Sequence, residues 1–171
     1  MFESANLPHA VDKQAYEAEE AELRAALLDA QFELGQQARF PVLVLIAGVE
    51  GAGKGETVNL LNEWMDPRFI HTRGFGPPTE EEAHRPPHWR FWQALPPRGR
   101  VGIFFGAWHT LPIVQRVTGG IGEGDFAAAI AEIQRLEQML VDEGVLLVKR
   151  WISWRATNGA TLSCRDSTSS T

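Results

Sequence analysis

At residues 42–55 the chain reads VLVLIAGVEGAGKG, an aliphatic run followed at once by glycines. A run of this kind is typical of a strand covered on both faces, as in a parallel sheet. Helix-forming residues come next, and we predict a helix from near Gly53 to Trp64. A buried strand, a glycine-rich turn and a helix in this order indicate an α/β protein.

The turn between this strand and this helix has the spacing Gly48-x4-Gly53-Lys54, which is that of a nucleoside-triphosphate-binding loop. Glycines let consecutive backbone N–H groups turn towards one point, where the helix also presents its positive end. Lys54 adds a full positive charge, so we predict that it is catalytic. The alternative is a glycine-rich turn without a ligand. The predicted phosphate-binding residues of the loop are Gly51, Ala52, Gly53, Lys54 and Gly55.

Glu50 is an unusual residue in a loop that binds anions, because its carboxylate repels phosphate unless a divalent cation lies between them. We therefore predict that Glu50 is a catalytic residue and a metal ligand. A carboxylate turned to solvent is an equally open alternative. Many such loops place Ser or Thr where this chain has Gly55, and the spacing does not decide whether Thr57 replaces that hydroxyl.

The remaining patterns extend the α/β interpretation to a three-layer α/β/α arrangement with a mainly parallel sheet. We expect helices over 13–37, over 88–95 and from Asp125 to Gly144, and an ordered loop over 74–88. We also expect a short strand over 69–72 and buried strands over 101–105 and 145–148. We divide the chain into a helical extension (1–41), a P-loop domain (42–152) and a tail (153–171). The tail is rich in Ser, Thr and Gly, and we expect it to be disordered.

A second group of polar and aromatic residues lies between residues 79 and 95. Arg85 and Arg90 are candidates to clamp phosphates, and the aromatic side chains are candidates to wall a cleft. Alternatively, a solvated loop precedes an amphipathic helix whose Trp89 and Trp92 fill the core, which explains the aromatic residues better. For His109, a polar group at a strand end is a simpler interpretation than a proton-transfer residue.

The overall composition limits the classes of partner. A net charge of −6 over 171 residues argues against broad binding to nucleic acid or anionic membrane. The single cysteine, Cys164, excludes an internal disulfide. We see neither an apolar run that could span a bilayer nor a secretory signal, so we expect a cytoplasmic protein.

Several motifs together resemble the polyphosphate kinase 2 family. The resemblance covers about residues 38–152 and implies a P-loop kinase-like fold, Mg²⁺ as cofactor, and phosphoryl transfer between inorganic polyphosphate and AMP or ADP. An ordinary ATP-dependent small-molecule kinase would share the loop but not the later motifs. These motifs are Gly48-x-Glu50-x-Ala52-Gly53-Lys54-Gly55, Pro78-Thr79-x-Glu81-Glu82, Trp89-x-Phe91-Trp92, Leu95-Pro96, Gly99-x-Val101-x-Ile103-Phe104 and Leu147-Val148-Lys149-x-Trp151.

The chain also departs from the family pattern and looks most like the degenerate first half of two-domain polyphosphate:AMP phosphotransferases. The resemblance places an acidic metal-organising residue at Phe105 and a basic residue at Gly106. The family's lid should follow Trp151, where this chain has an unrelated polar tail, as though it were truncated. The alternative function is therefore a catalytically inactive domain that binds phosphate or nucleotide or that packs against another domain. A sheet left incomplete at the C-terminus suggests a homo-oligomer or association with a complete family domain.

Overall fold

The computed structural model describes residues 12–49, 51–86 and 88–152. Within them, four parallel strands form one sheet in the order β2-β3-β1-β4. The strands are β1 (Val42–Gly48), β2 (Ile70–Gly74), β3 (Val101–Phe105) and β4 (Leu146–Ile152). The predicted parallel α/β sheet is confirmed. The tail that we expected to be disordered lies outside the described residues.

Six helices connect or flank these strands in the described part of the chain. They are α1 (Lys13–Gln37), α2 (Lys54–Trp64), α3 (Glu80–Ala83), α4 (Trp89–Trp92), α5 (Thr110–Val117) and α6 (Glu123–Asp142). The bounds of α1 and α2 agree with the sequence-based predictions. None of the helices in the described ranges is both long and apolar enough to cross a membrane.

The core consists of two apolar layers, one on each face of the central strands. On one face, Leu45 of β1 and Phe104 of β3 pack with Leu136 of α6. On the other, Ile46 and Val58 belong to a cluster that also includes residues of α1. Alternate residues of a strand point to opposite faces, so β1 contributes to both layers, as expected for a strand covered on both sides.

The last strand differs from the prediction of a buried element. β4 extends to Ile152 and pairs only with β1 among the described strands. Leu146 and Trp151 are each half exposed, and Val148 is 43% exposed. The aliphatic composition indicated a strand correctly, but burial depends on neighbours that the composition of the strand does not specify.

The connections also differ from the predictions in four places. The expected loop over 74–88 contains α3, which begins with a capping box between Thr79 and Glu82. The helix expected over 88–95 covers only Trp89–Trp92, and α5 was not predicted. Gly122, not Asp125, is the N-cap of α6, because Asp125 lies inside the first turn.

Helix α1 is attached to the domain mainly through its C-terminal half. Leu27 and Leu34 pack against the core, whereas Tyr16 and Leu23 are about half exposed. Buried Gln31 donates from Nε2 to the Asp66 carbonyl at 3.0 Å and accepts from the Asp66 N–H at 2.7 Å. The Gln31 side chain therefore satisfies both backbone groups of Asp66, which follows the end of α2.

We expect Gln31→Ala to lower the free energy of unfolding by about 1–3 kcal/mol, because both backbone groups of Asp66 lose their partner. Chemical denaturation measures this loss. Gln36→Ala, on the exposed side of the same helix, is the matched control and should change stability by less than about 0.5 kcal/mol. Equal effects of the two substitutions would contradict the anchoring role.

Candidate phosphate site

The phosphate loop begins where β1 ends, at the carboxyl edge of the parallel sheet. Gly48 has φ of 144° and Gly53, the N-cap of α2, has φ of 90°, a left-handed conformation that glycine adopts without strain. No side chain caps α2, so its first N–H groups are left for a ligand or for water. The predicted strand, turn and helix are therefore present around residues 51–55.

Lys54 folds back over the loop that precedes it. Its Nζ donates to the carbonyl oxygens of Gly48, at 3.1 Å, and Val49, at 2.6 Å. An ammonium group has three donors, so one remains for a phosphate oxygen. The Thr57 hydroxyl donates to the Gly53 carbonyl at 3.0 Å, so it is engaged within the helix instead of facing the loop.

A metal site in this region would depend on Glu50, which lies outside the described residues. Within residues 12–49, 51–86 and 88–152, no three His, Cys, Asp or Glu side chains converge as metal ligands. Mg²⁺ is often bound through one or two carboxylates together with phosphate oxygens and water. The described residues thus do not form a cage for Mg²⁺ by themselves.

The end of β3 is apolar where the family resemblance expects charged residues. The Phe105 ring contacts Gly74 so closely that a Cβ at Gly74 would lie 2.5 Å from its Cζ. Gly106 has φ of 67°, and a Cβ there would lie 2.4 Å from the Phe75 carbonyl oxygen. Phe105 therefore occupies space against a neighbouring strand, and the backbone at Gly106 favours glycine.

Arg85 and Arg90, the other predicted phosphate ligands, lie on the segment between β2 and β3. The Arg85 Nη2 atom is 2.9 Å from Glu81 Oε1, and its guanidinium lies over the Trp89 ring. Arg90 is largely buried, with its Nη1 3.5 Å from Glu82 Oε2. Both arginines therefore have acidic and aromatic neighbours in this structure.

This segment also forms one wall of a cavity of about 460 Å³, whose other wall is made by α5 and α6. Trp89 and Phe91 line it, as the cleft interpretation proposed, whereas Trp92 is 41% exposed and lies elsewhere. Sequence analysis did not identify His88 and Glu132 as part of this cavity. Neither residue lies in a motif with recognisable spacing, so only the fold reveals that they are neighbours.

A buried carboxylate connects α6, β4 and the residues that follow β3. Glu137 of α6 accepts from Trp108 Nε1 at 3.2 Å and from Lys149 Nζ at 2.7 Å. His109 Nε2 lies 3.2 Å from the same carboxylate. His109 lies beyond the end of β3, at the N-cap of α5, and it contributes to a structural network.

We expect acidification below pH 6.5 to destabilise the fold. Burial lowers the pKa of His109 from its ordinary value of 6.5, with Lys149 acting in the same direction and Glu137 opposing it. The unfolded chain then binds a proton before the folded chain does, so stability is complete above pH 6.5 and falls as the pH decreases. Burial likewise lowers the pKa of His88.

Urea denaturation at pH 7.5 and 5.5 measures this dependence. His109→Asn should show a smaller loss of stability between these two pH values than the parent. His71→Asn, an exposed substitution on β2, is the control and should retain the loss seen in the parent. A parent protein more stable at pH 5.5 than at pH 7.5 would contradict the expected sign.

Comparison with known proteins agrees with this geometry. A model of the family described as polyphosphate kinase 2 matches residues 10–165. The chain is 60% identical over 151 residues to a polyphosphate:AMP phosphotransferase of Pseudomonas aeruginosa and 52% identical to one of Pseudomonas syringae pv. tomato. Each match covers 88% of this chain and 30% of the relative, so the chain spans about a third of the length of these proteins.

A solved Pseudomonas aeruginosa structure, assigned to polyphosphate kinase 2, superposes with a TM-score of 0.85 and 59% identity. That match covers 90% of this chain and 33% of the other. An Arthrobacter aurescens polyphosphate kinase 2 structure superposes with a TM-score of 0.78 and 26% identity, over 85% of this chain and 53% of the other. Because a family model and similar relatives cover most of its length, the chain belongs to the polyphosphate kinase 2 family.

Proposed function

We propose that this chain is a polyphosphate-dependent nucleotide phosphotransferase domain that moves phosphoryl groups between inorganic polyphosphate and AMP or ADP. The observation that carries the proposal is the loop before α2, where Lys54 keeps one donor for an anion beside uncapped helix amides. Similar relatives bear the name polyphosphate:AMP phosphotransferase. We place this activity in the cytoplasm, where nucleotide acceptors occur.

In this proposal the residues of the loop position the phosphate chain and offset its charge. The backbone at residues 51–55 and the ammonium of Lys54 bind phosphate oxygens, which holds the transferred group in line with its acceptor. Glu50 would help to hold Mg²⁺, which would supply further neutralisation of charge. Arg85 and Arg90 would join the site only after separating from Glu81 and Glu82.

A transfer assay tests the proposal directly. The full chain is incubated with polyphosphate, Mg²⁺ and AMP or ADP, and the nucleotide products are quantified beside Lys54→Ala. We expect ADP or ATP to form in the parent, and we expect its rate to fall at least about 100-fold in the variant. Turnover that is unchanged by Lys54→Ala would contradict the assigned role of the loop.

A second candidate is a domain that binds phosphate or nucleotide without transferring phosphate. The packing of Phe105 against Gly74 favours it, because an apolar ring neither ligates a metal nor orients its water. This candidate predicts binding of polyphosphate by the parent, with no turnover, and a gain of turnover in Phe105→Asp. The exposed edge of β4 would then be available to another copy or to a complete family domain.

A further inference from the structure

The cavity between the α3–α4 segment and the α5–α6 pair has walls that suit a planar ring. Its volume of about 460 Å³ is within the range of small-molecule pockets. It reaches Gly106, just beyond β3, so it opens at the same edge of the sheet as the phosphate loop after β1. Its flat walls are aromatic and proline side chains: Phe75, Pro77, Trp89, Phe91, Trp108 and Pro112.

Two residues that line this cavity, His88 and Arg90, each have a buried polar atom without a hydrogen-bond partner in the described ranges. The His88 Nε2 atom is buried, and no residue in the described ranges accepts from it or donates to it. Glu132 Oε1 lies 3.9 Å from that nitrogen, which is too far for a hydrogen bond. A buried polar atom without a partner is costly, so the His88 nitrogen is better explained by a ligand that bonds to it. The Glu132 carboxylate beside it is half exposed, so it is open to the same ligand.

The backbone of His88 has an unusual conformation. Its φ is 66°, in the left-handed region that few residues other than glycine adopt. Strain of this kind often occurs at binding sites. Burial lowers the pKa of His88, so its ring is neutral at neutral pH, and Nε2 can carry a hydrogen for donation.

We propose that Glu132 and His88 recognise the edge of a purine base held between the aromatic walls. The Glu132 carboxylate accepts from the amino group at C6 of adenine, and His88 Nε2–H donates to the adjacent ring nitrogen N1. This inference rests on the proposed function, since it assigns these two residues the selection of the nucleotide acceptor. A neighbouring donor and acceptor on the base match a carboxylate and an imidazole 3.9 Å apart.

Calorimetry on the full chain with two ligands that differ by one group tests this inference. AMP is compared with purine riboside 5′-monophosphate, which lacks the amino group at C6. We expect the parent to bind AMP about tenfold more tightly, because a hydrogen bond to a charged carboxylate is lost with the analogue. In Glu132→Ala this ratio should fall close to one.

Two further variants separate the roles of the pair. Glu123→Ala, exposed on the same helix, should keep the preference of the parent. His88→Asn retains a residue that tolerates the left-handed conformation and should weaken both ligands several-fold, because both present N1. A parent that binds neither nucleotide, or a ratio that does not respond to Glu132→Ala, would overturn the inference.

Pyrophosphate binding measured in the same samples distinguishes this inference from the proposed function. Pyrophosphate has no base, so its affinity should be unchanged in Glu132→Ala and His88→Asn. If pyrophosphate binding requires Lys54 while the nucleotide ratio ignores Glu132, base recognition by this pair is refuted and phosphate binding by the loop stands. If pyrophosphate binding ignores Lys54, the proposed function itself fails.

Discussion

Lys54→Ala is expected to weaken pyrophosphate binding by the full chain at least 30-fold. The parent ammonium is held over the loop by two carbonyl oxygens, so it is already ordered before an anion arrives. Its removal eliminates one charge-assisted hydrogen bond and a full positive charge, with a combined effect of about 2 kcal/mol or more. Titration calorimetry at low and physiological salt measures the change.

The matched control for this substitution is Lys13→Ala. Lys13 is exposed on α1, and its ammonium lies 3.6 Å from the carboxylate of Glu17. Lys13→Ala changes the net charge of the protein by the same amount as Lys54→Ala, but the substituted residue lies on α1. If both substitutions weaken binding equally, the effect of Lys54 is a general electrostatic one, and the phosphate loop is not the binding site.

The largest expected loss of stability follows from Gly48→Ala. A Cβ at Gly48 would lie 1.9 Å from the Ile152 carbonyl oxygen, at the point where β1 and β4 pair. At the present φ of 144°, which side chains rarely adopt, the new methyl group would force the two strands apart. We expect a loss of at least about 3 kcal/mol, which is a large fraction of the stability of a typical domain.

Thermal unfolding should show a decrease in Tm of about 6–12 °C for Gly48→Ala. Gly124→Ala is the matched control, because Gly124 lies in α6 and a Cβ there meets nothing within 4 Å. It should stabilise the helix by about 0.5–1 kcal/mol. An unchanged Tm for Gly48→Ala would show that β4 does not constrain the start of the phosphate loop.

Patterns with a local physical cause were predicted well from the sequence. The aliphatic residues of β1 and β3 require burial on both faces, and both strands were assigned correctly. The turn at residues 48–55 was also recognised, because glycines and a lysine at this spacing have few other uses. A helix closed by Gly144 was expected for the same kind of reason, because glycine adopts the left-handed conformation that often follows a helix. In the structure Gly144 has φ of 86°.

Predictions that depended on distant neighbours were less successful. The last helix was predicted to begin at Asp125, yet the N-cap of α6 is Gly122, and an acidic residue is equally favourable within the first turn. The ion pairs of Arg85 and Arg90 with Glu81 and Glu82 were not anticipated. Those partners are close in sequence, but their contacts depend on α3, a short helix that was predicted as loop.

The sequence by itself determined the parallel α/β architecture, the glycine-rich turn between β1 and α2, and the family, because strand burial and turn geometry are encoded in adjacent residues. Only the tertiary structure decided that β4 has an exposed edge and that Phe105 packs against Gly74. It also decided that His88 and Glu132 meet in one cavity. Such contacts join residues far apart in the chain, and they exist only once the sheet and its covering helices have assembled.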